Sequence, residues 1–114
     1  MPRWLQVALT LAVLSIPAQA MAEPTAEAIL ASPEGSEGWT YLRGLGNGIE
    51  WTMAGAKFGD AGPPFCVPGD LTVTTGQYKE ILRRQVELDP KQASDWAGYV
   101  LFRGLVRTFP CKKN

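Results

Sequence analysis

The chain has 114 residues, with 11 basic and 11 acidic side chains, two cysteines and no histidine. Balanced charge without a basic patch argues against nucleic acid as a partner. The missing histidine removes the commonest metal ligand and the usual general base near neutral pH, and two cysteines alone fall short of a structural zinc site, so no metal or cofactor is expected.

The opening residues, Met1-Pro2-Arg3-Trp4, carry one positive charge and no acid. An apolar run from Leu5 to Ile16 follows, broken only by Gln6, Thr10 and Ser15, and Pro17 then stops any helix. Ala18-Gln19-Ala20 places small residues where a signal peptidase reads them. Charged start, short apolar middle and A-x-A end form the secretory pattern. A membrane span needs about 20 apolar residues, more than this run supplies. Residues 1–20 are therefore expected to be a cleavable signal peptide, with Ala20-Met21-Ala22 offering a second cut. Residues 21–114 are expected to form one domain in an oxidising compartment, free of the membrane after cleavage. Only Arg3 is charged in the leader, so its removal leaves one excess acid.

Export bears on the cysteines. Cys66 and Cys111 lack C-x-x-C spacing and are read as one structural disulfide rather than a redox pair. Such a bridge closes a loop of about 45 residues, a constraint of about 4 kcal/mol. For so small a domain that is a large part of the total stability.

Ala26-Glu27-Ala28-Ile29-Leu30-Ala31 is enough for a short helix, which Pro33 limits. From Ser36 a longer helix is expected, because Leu42, Leu45, Ile49 and Met53 recur at steps of three and four on one face, flanked by Trp39 and Trp51. Gly44 and Gly48 fall four apart on an adjoining stripe, with Gly55 further along. Each mid-helix glycine costs about 1 kcal/mol relative to alanine, and close approach of another helix at this stripe is the expected compensation. Gly44-Leu45-Gly46-Asn47-Gly48 does not make a dinucleotide loop, since the third glycine of G-x-G-x-x-G comes one residue early and no strand precedes it.

Prolines and glycines between Gly59 and Asp70 rule out regular structure. Cys66 pins this long loop, with Phe65 and Val67 tucked inward beside it. Thr74 and Gln77 form a capping box for the next helix, and Val73 with Tyr78 its hydrophobic staple. Tyr78, Ile81, Leu82 and Val86 make the buried face, while Lys79, Arg83 and Arg84 make the solvated one. Asp89-Pro90 ends this helix. Ser94 or Asp95 is expected to cap the last helix, in which Trp96, Tyr99, Val100, Leu101, Phe102, Leu105 and Val106 are apolar on most of the girth. So apolar a helix packs centrally or buries a face in a second subunit. Phe109-Pro110-Cys111 terminates it and ties it back to the Cys66 loop. No segment alternates long enough to read as a strand, so the expected fold is all-α, a small bundle of three to four helices with a long disulfide-pinned loop.

Catalysis needs a convergent polar cluster, and no Ser-His or Cys-His pair exists. Asp60, Asp70, Glu80, Glu87, Asp89 and Asp95 show no pairing beyond that of ordinary solvated faces. The expectation is a non-catalytic protein.

Several segments taken in order resemble a known family. They are Phe65-Cys66-Val67-Pro68, then Leu71-Thr72-Val73-Thr74-Thr75-Gly76-Gln77, the helix ending in Asp89-Pro90, and the closing Phe109-Pro110-Cys111. With Tyr41-Leu42-Arg43-Gly44 in the long helix, they resemble the type VI secretion amidase-immunity family, the Rap/Tai group, from about residue 28 to residue 111. Many relatives carry a further cysteine pair, in the region held here by Ser32 and Gly38-Trp39-Thr40. The resemblance implies a small helical periplasmic protein, often a homodimer, that binds a peptidoglycan amidase and blocks its active site without metal or catalysis. Contacts would lie on exposed turns, first the turn at Asp89, Lys91, Gln92 and Asp95 and second Pro63-Pro64-Phe65. Two alternatives fit the same export and size: a periplasmic stress chaperone loosened by acid, and a subunit of an envelope complex without an amidase partner.

Overall fold

Each helix begins where the chain supplies a partner for its first free N–H groups. In the computed structural model, which describes residues 23–112, Thr25 accepts from the Ala28 N–H and opens α1, Ala26–Leu30. Gly35, at φ 84°, turns the chain as only glycine does without strain. Ser36 then caps α2, Glu37–Gly55, accepting from the Trp39 N–H. The expected capping box closes α3, Thr75–Leu88: Thr74 Oγ1 accepts from the Gln77 N–H at 3.2 Å, and Gln77 Oε1 accepts from the Thr74 N–H at 2.8 Å. Asp89 stops α3, and Pro90–Ser94 form a single 3₁₀ turn. The last helix, α4, spans Ala97–Thr108. The described residues are all-α, four helices without a strand, and no helix among them is long and apolar enough to cross a membrane. The expected signal peptide lies outside the described residues.

One core unites the four helices. Ile29 of α1, Leu42 of α2, Tyr78 and Leu82 of α3, and Val100, Leu101 and Leu105 of α4 are all buried, and Phe65 and Val73 reach in from the loop. The most extensive helix pair is α3 with α4. They approach at Gly104, where a β-carbon would sit 2.7 Å from Ile81 Cγ2 and 3.2 Å from the Ile81 carbonyl oxygen. Any side chain there would force the two helices apart.

The glycine stripe of α2 behaves differently from expectation. A β-carbon on Gly44 or Gly48 would meet open space, so no helix approaches that stripe. The close contact is at buried Gly46, which lies flat against the Tyr78 ring. Packing selected this position because Gly46 stands one turn after Leu42, on the face already committed to the core. Tyr78 is buried to its tip. Among the described residues its hydroxyl makes no hydrogen bond of good geometry, and burial, followed by the Glu50 carboxylate beside it, raises its pKa above the ordinary phenol value.

Lys79 is a second correction. Instead of standing in solvent, its ammonium donates to the Ser32 carbonyl at 2.6 Å and lies 5.9 Å from the Trp39 ring centre. It ties α3 to the α1–α2 turn. The third concerns the start of α4. Neither Ser94 nor Asp95 caps it: Trp96 holds the N-cap position and makes no side-chain cap. An isolated bridge between Thr25 and Trp96 does this work, with the Ala97 N–H donating to the Pro24 carbonyl and the Ala26 N–H to the Asp95 carbonyl, each at 2.9 Å.

Cys66 and Cys111 are joined in a disulfide with their Cα atoms 4.9 Å apart. The Cys66 N–H donates to the Phe109 carbonyl at 2.8 Å, so the loop is sewn to the end of α4 beside the bridge. Phe65 and Val67 turn inward as expected.

Candidate functional site

Helix α4 divides its apolar residues between two faces. Ala97, Val100, Leu101, Gly104 and Leu105 are buried against the rest of the protein. Steps of three and four from Trp96 lead to Tyr99, Phe102 with Arg103, and Val106, and this second row faces out. Trp96 is 52% exposed and Tyr99 50%, with Phe102 and Val106 less so. The apolar girth thus serves both the core and the surface.

Arg103 organises that surface. Its guanidinium carbon lies 5.8 Å from the centre of the Tyr99 ring, and Nη1 donates to the Tyr99 hydroxyl at 3.3 Å. A cation held along an aromatic ring one helical turn away adds charge to a rigid apolar stripe. Phe102 packs edge-on against buried Phe65, with ring centres 6.0 Å apart and planes at 74°, which steadies its inner edge. Beside the stripe lies a hollow of about 410 Å³, lined by Phe102, Arg103, Val106, Arg107 and Gln85. Tryptophan, tyrosine and arginine next to a hollow are the residue types that carry most of the energy of protein interfaces.

The 3₁₀ turn extends this surface at its N-terminal end. Lys91, Asp95 and Trp96 are exposed and Asp89 is half-buried. Gln92 is not available to a partner. It is buried, and its Oε1 accepts from Gln85 Nε2 at 2.7 Å, while Gln85 Oε1 accepts from Arg107 Nε at 3.0 Å. This relay pairs both polar atoms of the Gln85 amide and the Gln92 amide oxygen and holds the turn against α3 and α4, so Gln92 positions Lys91 and Asp95 rather than contacting anything outside.

The second sequence candidate is divided in the same way. Pro63 and Pro64 are exposed, whereas Phe65 is a core residue, buried because the disulfide draws its neighbour Cys66 to the end of α4. Asp89, Lys91 and Asp95 share a turn next to the outer row of α4. Trp96, Tyr99, Phe102, Arg103 and Val106 were not among the sequence candidates, although their step of three and four was legible. Among the described residues no group of three or more acidic or cysteine side chains is placed to hold a metal.

The chain matches no family model, no curated protein and no solved structure.

Proposed function

We propose that this protein is an exported, non-catalytic binding protein of the periplasm that captures and blocks a peptidoglycan amidase delivered by type VI secretion. The observation that carries the binding role is the outward row of α4. Trp96, Tyr99 and Arg103 form a stiff aromatic and cationic stripe beside a hollow, and the exposed side chains of Lys91 and Asp95 border it. Large rigid aromatics left in water are compensated when a partner covers them.

The amidase as target rests on the Rap/Tai resemblance. The chain departs from many relatives in one respect: Ser32 and Gly38, which lie against each other, occupy the region of their further cysteine pair, so that second bridge is missing. The disulfide and the secretory pattern of residues 1–20 support export to an oxidising compartment, the compartment that holds the cell wall.

The test is binding and inhibition of cell-wall amidases encoded beside this gene. The expected outcome is stoichiometric inhibition by the parent, with Trp96→Ala and Tyr99→Ala each weakening it by about 2 kcal/mol while the melting temperature holds. An amidase panel that is neither bound nor inhibited would sink the amidase reading. Inhibition that survives both substitutions would move the contact away from α4.

A further inference from the structure

A second feature lies where the end of α2 meets the disulfide loop. A cleft of about 520 Å³ opens there, walled by Met53, Phe58, Phe65, Val67 and Leu71. Glu50 is the one charged side chain that lines it. Glu50 is half-buried and forms no salt bridge among the described residues. The buried Tyr78 hydroxyl lies beside it, a neutral group that leaves the negative charge in place. The cleft therefore holds one negative charge among largely apolar walls with no countercharge, an arrangement that favours a cation with an apolar body.

The loop favours a peptide over a free amine. Phe58 and Leu71 stand partly exposed. The N–H groups of Val67 and Gly69 make no backbone hydrogen bond among the described residues, leaving donors for an extended chain laid along the loop.

We propose that this cleft receives an arginine or lysine side chain from an extended segment of a partner protein. The cationic head rests on Glu50, the methylene stem lies against Met53 and Phe58, and the backbone of the segment pairs with the loop. No residue of α4 lines the cleft, and nothing in this assignment depends on the amidase reading.

The experiment uses the intact, disulfide-bonded protein and an acetylated, amidated Leu-Arg-Phe peptide. Titration is followed by calorimetry and by amide chemical shifts. Saturable shifts at Phe58, Val67 and Leu71 are expected. Replacing arginine by neutral citrulline in the peptide, or Glu50→Gln in the protein, weakens binding by about tenfold. Phe58→Ala weakens it as well while leaving the charge in place. Three results would overturn the proposal: no saturable shift with the arginine peptide; equal affinity for the arginine and citrulline peptides; or unchanged affinity in a Glu50→Gln variant that melts like the parent. Free agmatine binding as tightly as the peptide would also overturn it, by assigning the cleft to a small amine.

Discussion

Helix α3 closes its first turn with residues of its own segment, whereas α4 closes its first turn with a segment from the other end of the described chain. Thr74 and Gln77 exchange two hydrogen bonds within four residues. The Ala97 N–H instead reaches the Pro24 carbonyl, and the Thr25–Trp96 bridge holds the two strands of chain together. A local cap forms whenever the helix forms; a tertiary cap forms only when the domain does. The difference also shapes the surface. Because the Pro24 carbonyl serves α4, the side chains of Ser94, Asp95 and Trp96 are not spent on capping and remain exposed beside the outer row of the helix.

The strongest way to break the contrast is to remove the other tertiary tie of α4. Its C-terminal end is held to the approach of α3 by Cys66–Cys111, a closure of 45 residues. Replacing both cysteines by serine should cost about 4 kcal/mol in urea unfolding. An unmoved midpoint would show that packing alone holds that end of α4.

Proline at the first helical position gives a sharper comparison. Proline is ordinarily welcome there, and the residues before both helices, Thr74 and Trp96, already have the extended geometry it requires. Thr75→Pro should change stability by less than about 0.5 kcal/mol, because the Thr75 N–H makes no hydrogen bond. Ala97→Pro should cost about 2–3 kcal/mol, because it deletes the bond to Pro24 and crowds a fully buried site. Equal effects by thermal and denaturant unfolding would refute the tertiary cap.

The smallest effects come from the caps themselves. Thr74→Ala should cost about 1 kcal/mol through loss of the capping box. Ser94→Ala and Asp95→Ala should each stay within about 0.5 kcal/mol, since neither caps α4. A loss at Asp95 as large as that at Thr74 would restore the cap expected from sequence.

Much of the fold was legible because its signals are local. The capping box of α3, the stop at Asp89-Pro90, the irregular loop and the pairing of the only two cysteines each follow from residues close in sequence or few in number. The misreadings fall where two segments meet. Spacing singled out Gly44 and Gly48, yet the neighbour that needs a glycine is Tyr78, and it meets α2 at Gly46. Lys79 looked like one of three solvated cations until the α1–α2 turn docked beside it. Gln85 and Gln92 carry polar side chains that any sequence pattern assigns to the surface, and only the relay from Arg107 through Gln85 to Gln92 permits burial.

The candidate site shows the same division. The turn at Asp89, Lys91 and Asp95 could be found from its proline and charges. Trp96, Tyr99, Phe102, Arg103 and Val106 were hidden by abundance, because a helix apolar on most of its girth does not declare which face is spare. Periodicity reports that two faces exist; packing against Ile29, Leu42 and Leu82 decides which one is used.

By itself, then, the sequence determined an all-α chain of three to four helices, the bounds of α3, the inward turn of Phe65 and Val67, and one disulfide. Each of these depends on short-range sterics, capping or the absence of any alternative partner. The tertiary structure alone decided that α3 meets α2 at Gly46 and α4 at Gly104, that the residues before α1 cap α4, and that an aromatic row with Arg103 faces outward. Those outcomes depend on which surfaces meet, and that is settled by burying the whole apolar core at once rather than by any single stretch of chain.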